Sequence, residues 1–310
     1  MSADDVAHLV AVLGRGVVSP DEPVVTADDL GLTRGDGCFD SARVITDATG
    51  HATVVDLDDH LGRLAASAGA LGIPAPSAHE WRGLVDEALA AWSTPGEAVL
   101  KLLLTRGREW QPTGATALLT ITSRGPSVTP TAADDTSREG TDREDTHRED
   151  TPPRTVTAVT LSRGHPSDAF ADAPWLLGGV KTLSYVVNTA ASREAKRRGA
   201  DDVIFTTTDG YALDGPTAGL LVARGGALLS TPTGATGILE SLTVAAVMDA
   251  ARADGATTRF ELVPVDDLYT ADAVWLVSSG RGPVLVTALD GRALRADPAL
   301  ARRVARYAGF

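Results

Sequence analysis

Apolar positions along the chain switch between a two-residue and a helical period, which predicts strands with helices inserted rather than a helical bundle. Between Ala42 and Val55, two short β-type runs flank Asp47-Ala48-Thr49-Gly50, a combination that predicts a hairpin. Leu61, Leu64, Ala65, Ala68 and Leu71 then recur at helical spacing from Asp58, and Gly72 with Pro74 ends the run. Ser77 is placed to cap a second helix reaching about Trp92, after which Ala98 to Leu104 and Ala117 to Ile121 return to strand. The stretch from Val6 to Thr122 therefore reads as one α+β unit.

The pattern resumes after Thr155. Strands are predicted at Val156 to Leu161, Val203 to Thr207, Tyr211 to Leu213, Leu220 to Arg224, Leu228 to Thr231, Arg259 to Val263, Val274 to Val277 and Val284 to Ala288. Helices are predicted over about Leu183 to Arg198, Leu242 to Ala251 and Pro298 to Tyr307. A second α+β domain follows, so the expected division is 1–125, a linker over 126–154, and 155–310.

The linker has a different character. Thr136-Ser-Arg-Glu-Gly, Thr141-Asp-Arg-Glu-Asp and Thr146-His-Arg-Glu-Asp form a five-residue repeat with nothing from which to build a core. Thr131 to Asp150 holds eight acids against three arginines, and is expected to be a disordered acidic insertion. Deleting it should leave melting temperature and turnover nearly unchanged, because loop-closure cost varies slowly with length. A loss of several degrees in a thermal melt would show that the segment packs.

Composition narrows the chemistry. The formal charge of −13 lacks the basic footprint of a nucleic-acid or membrane-surface protein, so an anionic substrate must be held by local arginines. No run approaches the roughly 20 apolar residues of a membrane helix. A single cysteine, Cys38, and the lack of a secretion-type start fit a soluble cytoplasmic protein. Of the 28 basic residues only three are lysines, Lys101, Lys181 and Lys196, so chemistry that needs an amine has few candidates. Lys181 follows Gly178-Gly179-Val180 and begins a predicted helical run that would place Lys181, Tyr185 and Asn188 on one face. Such a lysine can be desolvated and form an imine with an aldehyde cofactor, although an ordinary surface lysine near a helix start fits the same local pattern.

A wider resemblance separates these readings. Gly35-Asp-Gly-Cys-Phe-Asp-Ser-Ala-Arg43, His60-Leu-Gly-Arg63 and Thr105-Arg-Gly107 resemble the first domain of the fold-type IV pyridoxal-phosphate enzymes. That branched-chain aminotransferase-like family includes D-amino acid aminotransferases and aminodeoxychorismate lyases. Lys181-Thr-Leu-Ser-Tyr185-Val-Val-Asn188, Gly199-Ala-Asp-Asp-Val-Ile-Phe205, Leu213-Asp-Gly-Pro-Thr217, Gly237-Ile-Leu239 and Trp275-Leu-Val-Ser-Ser279 are similar to its second domain, in the same order and spacing.

The resemblance implies a two-domain α+β fold of the D-amino acid aminotransferase-like type, usually homodimeric, with pyridoxal 5'-phosphate as cofactor and a small-molecule amine as substrate. It makes Lys181 the Schiff-base lysine and Arg63 the partner of the cofactor phosphate. The backbone around Ile238 and Leu239 becomes an anion cradle, with hydroxyls from Thr243 and Ser278 or Ser279. Tyr185 is implied beside the ring's phenolic oxygen. Asp214 stands where the family usually has a glutamate against the pyridine nitrogen, with a reach shorter by roughly 1.5 Å. Ala218, Gly219 and Glu240-Ser-Leu242 also depart from the common pattern.

Within the family, the strand around Phe39, Lys181 to Tyr185 and Trp275 to Arg281 resemble aminodeoxychorismate lyases of actinobacterial type, which form para-aminobenzoate and pyruvate on the folate route. The Arg-x-His pair of the best-known D-amino acid aminotransferases is missing, since Arg108-Glu-Trp-Gln-Pro follows Gly107. A substrate with two carboxylates asks for several cations. Arg43 matches a substrate-side arginine of the aminotransferases, while Arg106 and Arg281 are candidates by position. The alternatives are an aminotransferase of branched-chain or D-amino acids and a catalytically degenerate binding module.

Overall fold

The computed structural model describes residues 7–111, 114–124 and 153–310. The expected linker lies outside the described residues except for Pro153 and Arg154, and the acidic insertion within it lies wholly outside them.

The first sheet is antiparallel, with strands β1 (His8–Val12), β2 (Gly16–Val18), β3 (Gly37–Thr46), β4 (Ala52–Val54), β5 (Gly96–Thr105) and β6 (Thr116–Ser123) in the order β2-β1-β6-β5-β3-β4. Two helices cover one face, α2 (Leu57–Leu71) and α3 (Ala78–Ala91); the short helix α1 (Leu30–Arg34) precedes β3. Helix α2 stops at Gly72 in the left-handed conformation, and α3 starts with a reciprocal capping box between Ser77 and Glu80. Leu61, Leu64, Trp81 and Leu84 pack on Ala42, Val44, Leu100, Leu102 and Leu104. Because neighbouring strand residues point to opposite faces, that packing sends Phe39 and Ser41 of β3 and Lys101 of β5 to the side away from the helices. This second face forms one wall of the cavity described below.

The second sheet contains β7 (Thr155–Ser162), β8 (Asp202–Thr206), β9 (Tyr211–Ala212), β10 (Gly219–Arg224), β11 (Ala227–Ser230), β12 (Thr257–Phe260), β13 (Val263–Pro264), β14 (Ala273–Ser278), β15 (Gly282–Leu289) and β16 (Arg292–Ala293). The order is β12-β11-β10-β14-β15-β7-β8-β9-β13, with β16 on β15. One strand was expected over Arg259 to Val263, but β12 and β13 lie at opposite ends of this order. Glu261 and Leu262 alone join them, a span of roughly 11 Å between flanking Cα atoms at full extension, so the sheet curls until its ends approach. Pro264, which cannot donate to a ladder, suits the terminal position. Helices α5 (Leu242–Ala253) and α7 (Pro298–Tyr307) close one core, α4 (Val186–Arg197) covers another, and α6 (Val265–Leu268) is a single turn. Among the described residues, no helix is long and apolar enough to cross a membrane.

Residues 181–183 belong to neither sheet's own ladder, yet they are extended along β3. The Phe39 amide donates to the Lys181 carbonyl at 3.0 Å, and the Leu183 amide donates to Gly37 at 2.8 Å. This pairing delays α4 to Val186, three residues after its expected start. Lys181, Tyr185 and Asn188 therefore do not share a helix face. They come together because the strand-like segment and the first helical turn both face the same cavity.

Candidate active site

A cavity of about 960 Å³ lies between the two sheets, lined by Phe39, Arg63, Lys101, Lys181, Tyr185, Asp214 and others. Lys181 reaches it from the segment paired to β3, and its Nζ sits 4.5 Å from the centre of the Phe39 ring. Burial lowers this ammonium to about 8, and the nearby Arg63 and Lys101 cations act in the same direction. At pH 7 roughly a tenth of such an amine is neutral, against less than a thousandth for an ordinary lysine.

Asp214 follows β9 and also lines the cavity. Burial pushes its carboxyl up to about 7, with Arg163 opposing the shift. The Tyr185 ring meets Phe39 edge-on at 5.3 Å, and its hydroxyl donates to the Pro216 carbonyl at 2.6 Å. Asn188 donates to the same carbonyl at 2.7 Å. Burial first, and Asp214 second, raise the Tyr185 phenol.

Arg63 comes from α2 and is held by a buried acid. Asp40 accepts its Nε and Nη2 at 2.7 Å each, and also meets His60 Nδ1 at 2.8 Å. Burial would raise the Asp40 carboxyl, but the hydrogen bonds from Arg63 and His60 outweigh it and hold the group below the usual range. Arg63 Nη1 donates to the Glu240 carbonyl at 2.8 Å. Three of its five N–H groups are thus engaged, leaving two for an anion.

The chain from Gly237 to Ser241 passes beside Arg63 before α5 begins. Among the described residues, no acceptor takes the amide hydrogens of Ile238 or Leu239. Ser278 and Ser279 line the cavity next to them. Thr243 is buried behind, sharing a hydrogen bond of 3.0 Å with the Ser279 hydroxyl. Unpaired amides, a guanidinium and hydroxyls in one corner form the donor set that an anion requires.

The expected substrate arginines separate. Arg281 lines the cavity while donating to Asp202 at 2.8 Å. Arg43 does not line it: although it shares the face of Phe39 and Ser41, it lies farther along β3, where it donates to Gly309 and stacks on the Phe310 ring at 3.8 Å. Arg106 does not line it either, although its partners Asp36 and Leu71 do; it bridges Asp36 to the Leu71 and Gly72 carbonyls at the end of α2. There it neutralises a helix C-terminus. Arg108 pairs with Asp28, and Trp110 is exposed.

Lys101, Arg163, His165 and Phe170 line the cavity without having been singled out as site residues from the sequence. Lys101 Nζ sits 5.2 Å from the Phe39 ring, and Arg163 stacks 4.5 Å over Phe205. Strand alternation in Leu100-Lys101-Leu102, a charge between core leucines, was the available signal for Lys101. Among the described residues, no group of three or more His, Cys, Asp or Glu side chains is arranged to hold a metal ion.

Two sheets with a desolvated lysine, a buried acid and an anion-binding corner between them define a protein built around a bound anionic cofactor. The chain belongs to the class IV aminotransferase family of pyridoxal-phosphate enzymes: the family model described as "Amino-transferase class IV" matches residues 37–289. It is 36% identical over 298 residues, 94% of each chain, to a Mycobacterium tuberculosis protein named bifunctional aminodeoxychorismate lyase / D-amino acid transaminase. The pyridoxal-phosphate-bound form of a hypothetical aminotransferase from M. tuberculosis superposes with a TM-score of 0.82 at 36% identity, covering 98% of both chains. The fold IV-transaminase CpuTA1 of Curtobacterium pusillum gives 0.81 at 36% identity, covering 97% of this chain and 99% of that one.

Proposed function

We propose that the chain is a pyridoxal-phosphate-dependent lyase that converts aminodeoxychorismate to para-aminobenzoate and pyruvate. The observation that carries this reading is the distribution of charge around Lys181. Lys101, Arg163 and Arg281 line the same cavity as Lys181, while Arg108, which follows Thr105-Arg-Gly107, pairs with Asp28 and does not line it. Several cations suit a dicarboxylate better than a simple amino acid. The relative named for both lyase and transaminase activity supports the reading.

The residues fit the cofactor. Arg63, the Ile238 and Leu239 amides, Ser278 and Ser279 would hold its phosphate, with Thr243 orienting Ser279. Asp214 would face the ring nitrogen and Tyr185 the ring's oxygen edge, with Lys181 as the covalent anchor. When bound, the cofactor supplies an electron sink for the carbon that carries the substrate amine.

The chain's own work is proton handling and placement. Neutral Lys181 takes the ring proton beside the substrate nitrogen, and Lys101 with Arg281 holds the carboxylates so that this C–H bond faces it. Loss of the enolpyruvyl group leaves an aromatic ring, a driving force that amino transfer lacks. A shorter acid at Asp214 is therefore better tolerated in elimination. The same reading has the chain acting in the cytoplasm as a homodimer.

Amino transfer from D-amino acids at the same site is the second reading, favoured by the bifunctional name of the M. tuberculosis relative. With aminodeoxychorismate, para-aminobenzoate fluorescence and a coupled pyruvate assay should rise together, with little amino transfer from D-alanine or leucine. Fast transfer from either amino acid without para-aminobenzoate would replace the lyase reading. A purified protein that never develops a cofactor band would mark a degenerate binding module instead.

A further inference from the structure

Phe170 lies outside every motif considered above, yet it touches both the stretch of chain that leads to Lys181 and the stretch that leads to the anion corner. The segment carrying it is anchored at the turn between β8 and β9. The Ser167 amide and hydroxyl donate to Asp209 at 2.9 and 2.7 Å, and the Thr208 amide donates to the His165 carbonyl at 2.9 Å. His165 then meets the Phe170 ring edge-on at 5.0 Å. From this base the ring reaches two glycines. A Cβ on Gly178 would stand 2.6 Å from Phe170 Cδ1 and 3.0 Å from the Gly237 Cα, and one on Gly237 would strike the same ring. The ring, Gly178 and Gly237 are thus in direct mutual contact, with no space for a side chain on either glycine.

Two hydrogen bonds complete the contact. The Phe170 amide donates to Ala235 at 3.0 Å, and the Gly179 amide donates to Gly237 at 3.1 Å. Gly179 leads to Lys181 through Val180 alone, while Gly237 leads directly to the unpaired amides of Ile238 and Leu239. The anchor lysine and the anion corner lie on separate stretches of chain, and here they are joined.

We infer that Phe170 is a positioning residue, clamping the Gly178–Lys181 segment to the Gly237–Leu239 turn so that lysine and anion corner are set at the spacing of one cofactor. The inference rests on the pyridoxal-phosphate reading and adds a residue which that reading does not name. Contacts to Phe170 involve its Cγ, Cδ and Cε atoms, so Phe170→Tyr keeps the clamp, Phe170→Leu weakens it and Phe170→Ala removes it.

The test is titration of each purified, cofactor-free protein with pyridoxal phosphate, following the absorption band and the rise in Tm that saturating cofactor produces. Phe170→Ala should raise Kd at least tenfold and shrink the Tm rise, with Phe170→Leu between it and wild type and Phe170→Tyr close to wild type. Equal loss of Tm with and without cofactor, at a Kd within twofold of wild type, would reduce Phe170 to packing and overturn the inference. If Phe170→Ala does not fold, Phe170→Leu decides by the same criterion.

Hydrogen exchange of the cofactor-free protein gives a second measurement. The Gly179 amide should exchange faster in the weakened variants while core amides of β14 keep their protection. Unchanged Gly179 protection overturns the clamp. A wild-type protein that takes up no cofactor would defeat the pyridoxal-phosphate reading, and the Gly179 exchange alone would then decide whether the clamp exists.

Discussion

Lys181→Ala should abolish the borohydride-stable link to pyridoxal phosphate and lower turnover by about four orders of magnitude, because the proposed function makes this amine both the cofactor anchor and the group that moves a proton. The structure makes this more demanding than a choice among three lysines. Lys101 lines the same cavity and faces the same Phe39 ring, so it is a real competitor. Lys181 is favoured because it is closer to that ring, is the more enclosed amine and has a lowered affinity for its proton. Its carbonyl is also fixed against β3. Peptide mapping after reduction reads the result directly. A label on Lys101 or Lys196 would displace Lys181 from its role.

Asp214→Asn should have opposite effects on activity and on the stability of the cofactor-free protein. Burial in the fold raises the Asp214 carboxyl from the usual aspartate value of 3.8 to about 7. The folded chain therefore binds more protons there than the unfolded chain between about pH 4 and 7, and the ionised carboxylate destabilises it increasingly as pH rises through that window. Above pH 7 the penalty is complete. Removing the charge should raise Tm at pH 8 by several degrees, since a shift of this size corresponds to about 4 kcal/mol at most and burial of the polar amide offsets part of it, and should have no effect near pH 4. If Asp214 faces the ring nitrogen as proposed, the same variant should lose at least tenfold in turnover, whereas Asp214→Glu should keep or improve activity. Equal activity in all three forms would remove Asp214 from the site. A lower Tm at pH 8 for Asp214→Asn would show that the carboxylate is stabilised by something other than the groups described.

A polar group that costs stability in the empty protein and serves the bound state is a common feature of functional sites. The reasoning applies to Lys181 with the sign of the charge reversed. Its lowered pKa means that the buried ammonium opposes folding below about pH 8 and that this opposition fades as the amine deprotonates. Lysine and acid are thus both held in environments that favour their neutral forms.

Local chemistry in the sequence was enough for the α2 stop at Gly72, the Ser77 capping box and the α7 helix from Pro298 to Tyr307, because each rests on neighbours within one turn. Composition narrowed the amines to three, and the family resemblance chose Lys181 among them and grouped it with Arg63, Asp214, Ile238 and Leu239, which all line one cavity. What the sequence alone left undecided depended on partners far along the chain. Residues 181–185 have helical spacing, but β3 draws 181–183 into an extended pairing more than 140 residues distant in sequence. Arg43 and Phe39 share a strand face, yet only the position of Gly309 and Phe310 shows that one meets the C-terminal segment and the other the cavity. Arg106 was placed near the site by its neighbours in sequence, and the end of α2 claimed it. Lys101 and Phe170 carried no motif, because a cavity wall is assembled from single residues of several strands and no local period records which of them will face one another. The sequence by itself therefore determined most of the elements, through short-range sterics and capping, and through composition it narrowed the available amines to three. Only the tertiary structure decided which charges share a low-dielectric cavity with that amine, because Coulomb interaction and desolvation depend on distance in space rather than distance along the chain.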